Sequence, residues 1–163
     1  MAKIHDIVET SKMSMEYDGS LIDVTHRAKK DLDNGRLVVL GADGTYDYAG
    51  VGEKGEVKLL ASVEQMADLT KGLTEFYNSK DALIRALTFR NGDMYKTSAF
   101  TGEGLAKGDE LIPDANGILK KGTTVEGSKI KFFVEDAEAN LGFVSYSYGF
   151  DYIPAIMVRI ERA

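Results

Sequence analysis

The chain contains no cysteine and no tryptophan, and only two prolines and two histidines among 163 residues. Without cysteine there is no disulfide framework, no zinc knuckle and no thiol nucleophile. With imidazole confined to His5 and His26, a transition-metal site would need carboxylates almost alone, a donor set suited to harder cations. Positive charge is in deficit too: 20 Lys+Arg against 26 Asp+Glu give a net charge of −6 and a pI near 5.0. That balance argues against a nucleic-acid partner, because phosphate binding needs concentrated positive charge. No apolar run approaches the ~20 residues that span a bilayer, and Met1 to Asp6 has no apolar leader stretch. The expectation is a soluble protein made in a cytoplasm, without a membrane partner.

Glycine, by contrast, is plentiful at 17 residues. Five glycines stand in hairpin-type dipeptides: Asp18-Gly19, Asn34-Gly35, Asp43-Gly44, Asn91-Gly92 and Asn116-Gly117. Such pairs tolerate the positive φ of a two-residue type I′ turn, whose twist matches that of paired strands. Short β-rich runs lie beside them: Arg36–Leu40, Thr45–Val51, Glu56–Ala61, Met94–Phe100, Glu110–Pro113 and Ile118–Lys120. Residues 82–89 read as a further strand. In Lys129–Glu135 the apolar Ile130, Phe132 and Val134 alternate with polar neighbours, broken only by Phe133. Ile156, Val158 and Ile160 likewise alternate with Arg159 and Glu161. This is the pattern of half-buried antiparallel strands. Two stretches read as short helices. One is Ile22–Asp33; the other begins at Ser62 as N-cap, with Gln65 as its capping-box partner and an end near Gly72. The expected fold is mainly β: a single antiparallel β-barrel or sandwich with one or two short helices. Residues 1–33 are an N-terminal arm or short helical segment, and 34–163 the β domain.

The chemistry-bearing motifs are weak. His5 and His26 have no nucleophile motif beside them and read as solvated loop residues. Gly50-Val-Gly52-Glu-Lys-Gly55 has the letters of a dinucleotide loop, but it runs into a strand-like segment and carries Glu53, which repels phosphate. Asp31-Leu-Asp33-Asn34-Gly35 begins like a calcium loop, yet its sixth position is Arg36 and its twelfth is Ala42. Capping and turn acids account for it. The three carboxylates of Glu135-Asp136-Ala-Glu138-Ala-Asn140 could hold Ca²⁺ or pair with a basic partner, but the cluster reads first as a solvated loop. No catalytic, cofactor or metal residue is assigned, and an enzyme is the least favoured class.

Tyr146, Tyr148, Phe150 and Tyr152 occupy alternate positions, separated by Ser145, Ser147, Gly149 and Asp151. In a strand all four rings share one face. They form either a buried aromatic ladder or an exposed contact strip, since tyrosine combines an apolar body with a polar tip. As a strip they are the candidate partner contact, for a protein or for a sugar ring.

Several segments resemble small structural proteins of tailed bacteriophages. These are Asn34-Gly-Arg-Leu-Val-Val-Leu-Gly41, Glu75-Phe-Tyr-Asn-Ser-Lys-Asp-Ala-Leu-Ile-Arg-Ala-Leu87 and Asn91-Gly-Asp93-Met94-Tyr95. Lys107-Gly-Asp-Glu-Leu111 and the closing Ile156-Met-Val-Arg-Ile-Glu161 belong with them. The resemblance runs from about residue 34 onward. It implies an auxiliary capsid protein of the head-decoration (cement) or head-fibre-base type. Such a protein is not an enzyme; it binds the outer surface of the phage capsid and stabilises it by bridging capsomers. The implied partner is the major capsid protein, with self-association as a trimer, or monomers on the lattice, and the implied location is the virion. No functional residue transfers, because the shared motifs are turns and strand starts. Two alternatives stand beside this: a carbohydrate- or ligand-binding β module, and a tail or connector component of the same virion.

Overall fold

The computed structural model describes residues 5–64, 73–138, 141–145 and 151–163. In chain order the first strands are β1 (Val8–Lys12), β2 (Ile22–Asp23), β3 (Arg27–Ala28), β4 (Leu37–Leu40), β5 (Thr45–Tyr48), β6 (Lys58–Leu60) and β7 (Ala86–Leu87). The later ones are β8 (Met94–Thr97), β9 (Phe100–Thr101), β10 (Glu110–Pro113), β11 (Leu119–Lys121), β12 (Ile130–Asp136), β13 (Phe143–Ser145), β14 (Asp151–Ile153) and β15 (Ile156–Arg162). Among the described residues, helical structure is limited to 3₁₀ turns such as Ser14–Glu16 and Gly19–Leu21.

The strands form a seven-stranded sheet in the order β1-β8-β15-β12-β10-β11-β9 and a six-stranded sheet in the order β2-β7-β6-β4-β5-β3. A separate two-stranded ribbon pairs β13 with β14. Pairing is antiparallel except for the parallel contacts β9–β11 and β3–β5. Neither sheet closes on itself, so the architecture is a sandwich and not the barrel also expected. The spine of the larger sheet is β12 against β15, with Phe132 opposite Ile160 and Val134 opposite Val158. The side chains of Ile130, Phe132, Val134, Ile156, Val158 and Ile160 are buried, as their alternation requires.

The smaller sheet is covered on both faces. Leu37, Leu59 and Leu87 are cross-strand neighbours and join the core shared with the larger sheet. Val38, Tyr46, Leu60 and Ala86 point the other way, into a second core closed by Ala28, Leu32 and Ile84. Burial on both sides is why Leu37 and Val38, which face opposite ways, are both apolar, whereas Leu40 at the end of the run is exposed. The sheets are also tied directly. Leu37 N–H donates to the Gly117 carbonyl at 2.9 Å. Gly117 has φ +68°, and a Cβ there would collide with the Leu37 carbonyl, so position 117 of the turn admits no side chain. Arg162 grips both Glu56 carboxylate oxygens at 2.6 and 2.9 Å and the Phe89 carbonyl at 3.0 Å.

The region expected to be an arm or helical segment is, from His5 onward, woven into both sheets: β1 edges the larger one, and β2 and β3 the smaller. The helix expected over Ile22–Asp33 does not form. Asp23 Oδ1 accepts the Thr25 N–H at 2.9 Å and its hydroxyl at 2.8 Å, a local turn that competes with helical bonding. At the second expected helix, Gln65 to Gly72 lie outside the described residues. Ser62 itself spends its hydroxyl on the Arg85 N–H at 3.1 Å. Of the five dipeptides, Asp43-Gly44 and Asn116-Gly117 sit between antiparallel partners, β4–β5 and β10–β11. Asp18-Gly19 instead opens a 3₁₀ turn, with Asp18 accepting the Ser20 N–H.

Tyr95 is 1% exposed in the shared core, and among the described residues its hydroxyl has no hydrogen-bond partner. A buried, unpaired hydroxyl costs about 1–3 kcal/mol. Tyr95→Phe is therefore expected to raise the urea midpoint, by about 1 kcal/mol in stability at unchanged m-value. Phe132→Ala, which opens a cavity at the same level, is expected to lose about 3–5 kcal/mol.

Candidate functional site

Of the four alternating aromatics, Tyr146, Tyr148 and Phe150 lie outside the described residues. Tyr152 is in β14, opposite Val144 of β13, and is 52% exposed. Its orientation is set by Gly142, whose N–H donates to the Tyr152 hydroxyl at 2.9 Å. A Cβ at Gly142 would overlap the ring, so that position must stay bare for the tyrosine to lie over it. The ribbon is anchored by Phe143, whose ring sits 4.5 Å from the Lys96 ammonium of β8, a favourable cation–π distance.

Tyr152 forms one wall of a groove of about 280 Å³ at the open end of the larger sheet. Phe100 and Leu105 form another wall, and Pro154, Ile156 and Ala137 complete it. Gly102 and Gly104, both at positive φ, let the 102–105 loop curl over this end. The groove merges with a polar hollow through Leu105, Ala137 and Glu138. There Glu135 pairs with Lys107 at 2.7 Å and with Arg159 at 3.3 Å, while Asp136 accepts the Glu138 N–H at 3.0 Å. The first of these bonds leads the Lys107 and Arg159 effects that lower the Glu135 pKa. The cluster is thus partly a strand end held in ion pairs, and only Glu138 is the solvated loop acid expected. Among the described residues, no three His, Cys, Asp or Glu side chains converge as a metal site.

Comparison with protein families, curated proteins and solved structures returns no match.

The histidines correct the expectation of solvated loops, His5 most clearly. It is 8% exposed, with Nδ1 2.6 Å from Asp33 Oδ1 and its ring stacked on Tyr77. Arg36 bridges Asp33 Oδ2 at 2.9 Å and Asp6 Oδ2 at 2.6 Å, and the Asp33 N–H donates to the Tyr48 hydroxyl at 2.9 Å. Burial opposes the Arg36 charge, but the Asp6 carboxylate beside it outweighs that and raises its pKa. Next in the chain, Asn34 is wholly buried. Its amide accepts the Ser62 N–H at 3.0 Å and donates to the Ser62 carbonyl at 2.8 Å, and Asn78 donates to its oxygen at 3.1 Å. Asp33 and Asn34 are therefore internal anchors, not the helix caps or turn acids their sequence suggests. Asp31 fits better, accepting the Lys80 N–H at 2.9 Å.

His26 is half-buried and meets Asp23 Oδ2 at 2.8 Å, an oxygen that also receives the Tyr46 hydroxyl at 2.7 Å. Burial works against the Asp23 charge, yet bonds from the Thr25 N–H, Tyr46, the Thr25 hydroxyl and His26 hold its pKa well below the carboxylate range. Burial, then the bond to Asp23, pushes the Tyr46 phenol up. The Gly50–Gly55 segment leads into β6, a strand, as expected.

Two outcomes follow from these clusters. Asp33→Ala leaves the buried His5 Nδ1 and one Arg36 nitrogen without this acceptor, while Asp6 still pairs with Arg36, so it is expected to cost about 1–3 kcal/mol by denaturant unfolding. The depressed Asp23 pKa contributes stability that is present above the unfolded carboxylate value of about 3.9 and lost as pH falls toward the folded one. In acid titrations of unfolding free energy, Asp23→Asn is expected to flatten the wild-type decline below about pH 4.

Proposed function

We propose that the protein is a non-enzymatic binding module that attaches to the outside of a tailed-bacteriophage capsid and cements neighbouring capsomers. The observation that carries the attachment is Tyr152: a half-exposed ring, pinned by Gly142 on a ribbon apart from both sheets, beside an apolar groove. A preoriented aromatic at a groove loses little side-chain freedom on binding, which is why tyrosine is frequent among interface hot spots. The phage setting rests on the sequence resemblance of residues 34–161.

The surroundings indicate the partner's chemistry. The hollow that continues the groove holds Glu135, Asp136 and Glu138 against Lys107, so a capsid patch with an apolar side chain flanked by cations complements it. Binding to an assembled lattice and not to free subunits stabilises the lattice by mass action. A contact of ~800 Å² per partner suffices for a stable complex.

Shells carrying the protein are expected to withstand heat or osmotic shock better than bare shells, and equal resistance rejects cementing. Tyr152→Ala is expected to weaken shell binding at least ~30-fold, at unchanged unfolding temperature, in a co-sedimentation assay. Free glycans in calorimetry are expected to give no heat. A sugar that binds, and loses binding in Tyr152→Ala, would transfer the site to the carbohydrate reading.

A further inference from the structure

A second cleft lies at the other end of β12 and shares no residue with the Tyr152 groove: Ile130 and Phe132 line it, whereas Ala137 and Glu138 line the groove. Its floor is the inter-sheet core itself, formed by Val57, Leu111, Ile130 and Phe132, each at most 5% exposed. Its lip is a pair of valines, Val51 and Val125, 59% and 38% exposed. The two lip segments are tied where the Ser128 hydroxyl donates to the Glu53 carbonyl at 3.4 Å.

An opening of this kind is poorly served by water. The lining is mainly apolar, with Glu53, Thr123, Thr124 and Ser128 as its polar members, and among the described residues the Thr124 hydroxyl has no hydrogen-bond partner. Along the Val57, Leu111, Ile130 and Phe132 floor water finds few partners, and an empty space leaves those atoms without dispersion contacts. An apolar occupant regains these contacts along the floor. Charge narrows the class further. The lining residues include Glu53 but no Lys, Arg or His, so an anion would meet a carboxylate and no cation. Glu53 Oε1 is already engaged by the Gly55 N–H at 2.7 Å. Size narrows it again: the cavity volume is about 80 Å³, where an apolar cavity of about 150 Å³ takes a whole benzene. An occupant of ring size therefore seats one edge against Phe132 and Leu111 and rests the remainder on Val51 and Val125.

We propose that this cleft is a binding site for a small uncharged apolar molecule, of single-ring or short branched-chain size. It is independent of the attachment surface, and its failure leaves the capsid reading untouched.

Benzene titrated into the full chain, with valine methyl groups followed by NMR, tests this directly. The expected result is a saturable shift at Val57, Val51 and Val125, with a rise of a few degrees in unfolding temperature near saturation. Benzoate, which has the same ring with a carboxylate, is expected to bind at least tenfold more weakly. Val125→Trp, a plug at an exposed lip position, is expected to abolish the Val57 shift. Val51→Asp, at the more exposed lip residue, should weaken benzene at least tenfold and serves if the plug variant does not fold. No saturable Val57 shift up to the solubility of benzene would overturn the proposal. So would equal binding of benzoate, or shifts that both lip variants leave intact. If benzene leaves Val57 unmoved while Val125→Trp abolishes shell attachment, the cleft is a protein contact and the small-molecule site is rejected.

Discussion

The structure turns on a buried carboxylate, Asp33, and the groups that satisfy its oxygens in place of water. Moving a carboxylate inside a protein costs several kcal/mol unless it is paired and hydrogen-bonded. Asp33 recruits His5 from one end of the chain, Arg36 from the bend just before β4 and, through its own N–H, Tyr48 from β5. Arg36 passes the connection on to Asp6, and its guanidinium lies 5.1 Å from the Tyr48 ring. The segment leading into β1 is thereby fastened to the smaller sheet, while β1 itself pairs with the larger one. Asn34 extends the knot by behaving as a peptide group: its side-chain amide donates to and accepts from the Ser62 backbone. A strand partner is replaced by a side chain at the point where the chain must turn sharply into β4.

This arrangement separates the work of the molecule. The shared core and the second core behind the smaller sheet are filled by aliphatic and aromatic side chains. Apart from the Tyr95 hydroxyl and Thr97, both in β8, the buried polar groups described here lie at the seams between elements. Asp93 repeats the theme at another seam, receiving both N–H and hydroxyl of Ser14 and the N–H of Arg90. Directional bonds at the seams fix how the elements meet, and nondirectional packing supplies most of the stability. The β13–β14 ribbon forms its own two-stranded sheet, and Tyr152 on it is half-exposed.

The strands with local signatures were legible in the sequence. In β12 and β15 each residue's side is decided by its immediate neighbours, and Asp43-Gly44 and Asn116-Gly117 carry their turn chemistry within two residues. The anchors were not legible, because their partners are remote: His5 and Asp33 are 28 residues apart, Asn34 and Asn78 are 44 apart. A lone Asp or Asn before glycine looks the same in sequence whether it turns a hairpin or plugs a core. Asn34-Gly35 is such a plug, whereas Asp18-Gly19 opens a local 3₁₀ turn. Tyr152 stood out as an aromatic position, but its groove did not, since Phe100, Leu105, Ala137 and Pro154 come from separate segments brought together only by the sheet. The apolar cleft was hidden for the same reason, with walls drawn from three loops and strands.

The sheet borders carry one further implication. The larger sheet ends in β9, two residues long, and in β1, whose register with β8 breaks between Glu9 and Lys12. The smaller sheet ends in β2 and β3, also two residues each. A fibril recruits new chains along a straight, continuous run of unsatisfied amides and carbonyls. None of these four borders presents one, so molecules crowded side by side can meet at these sheet edges without zipping into a common ladder.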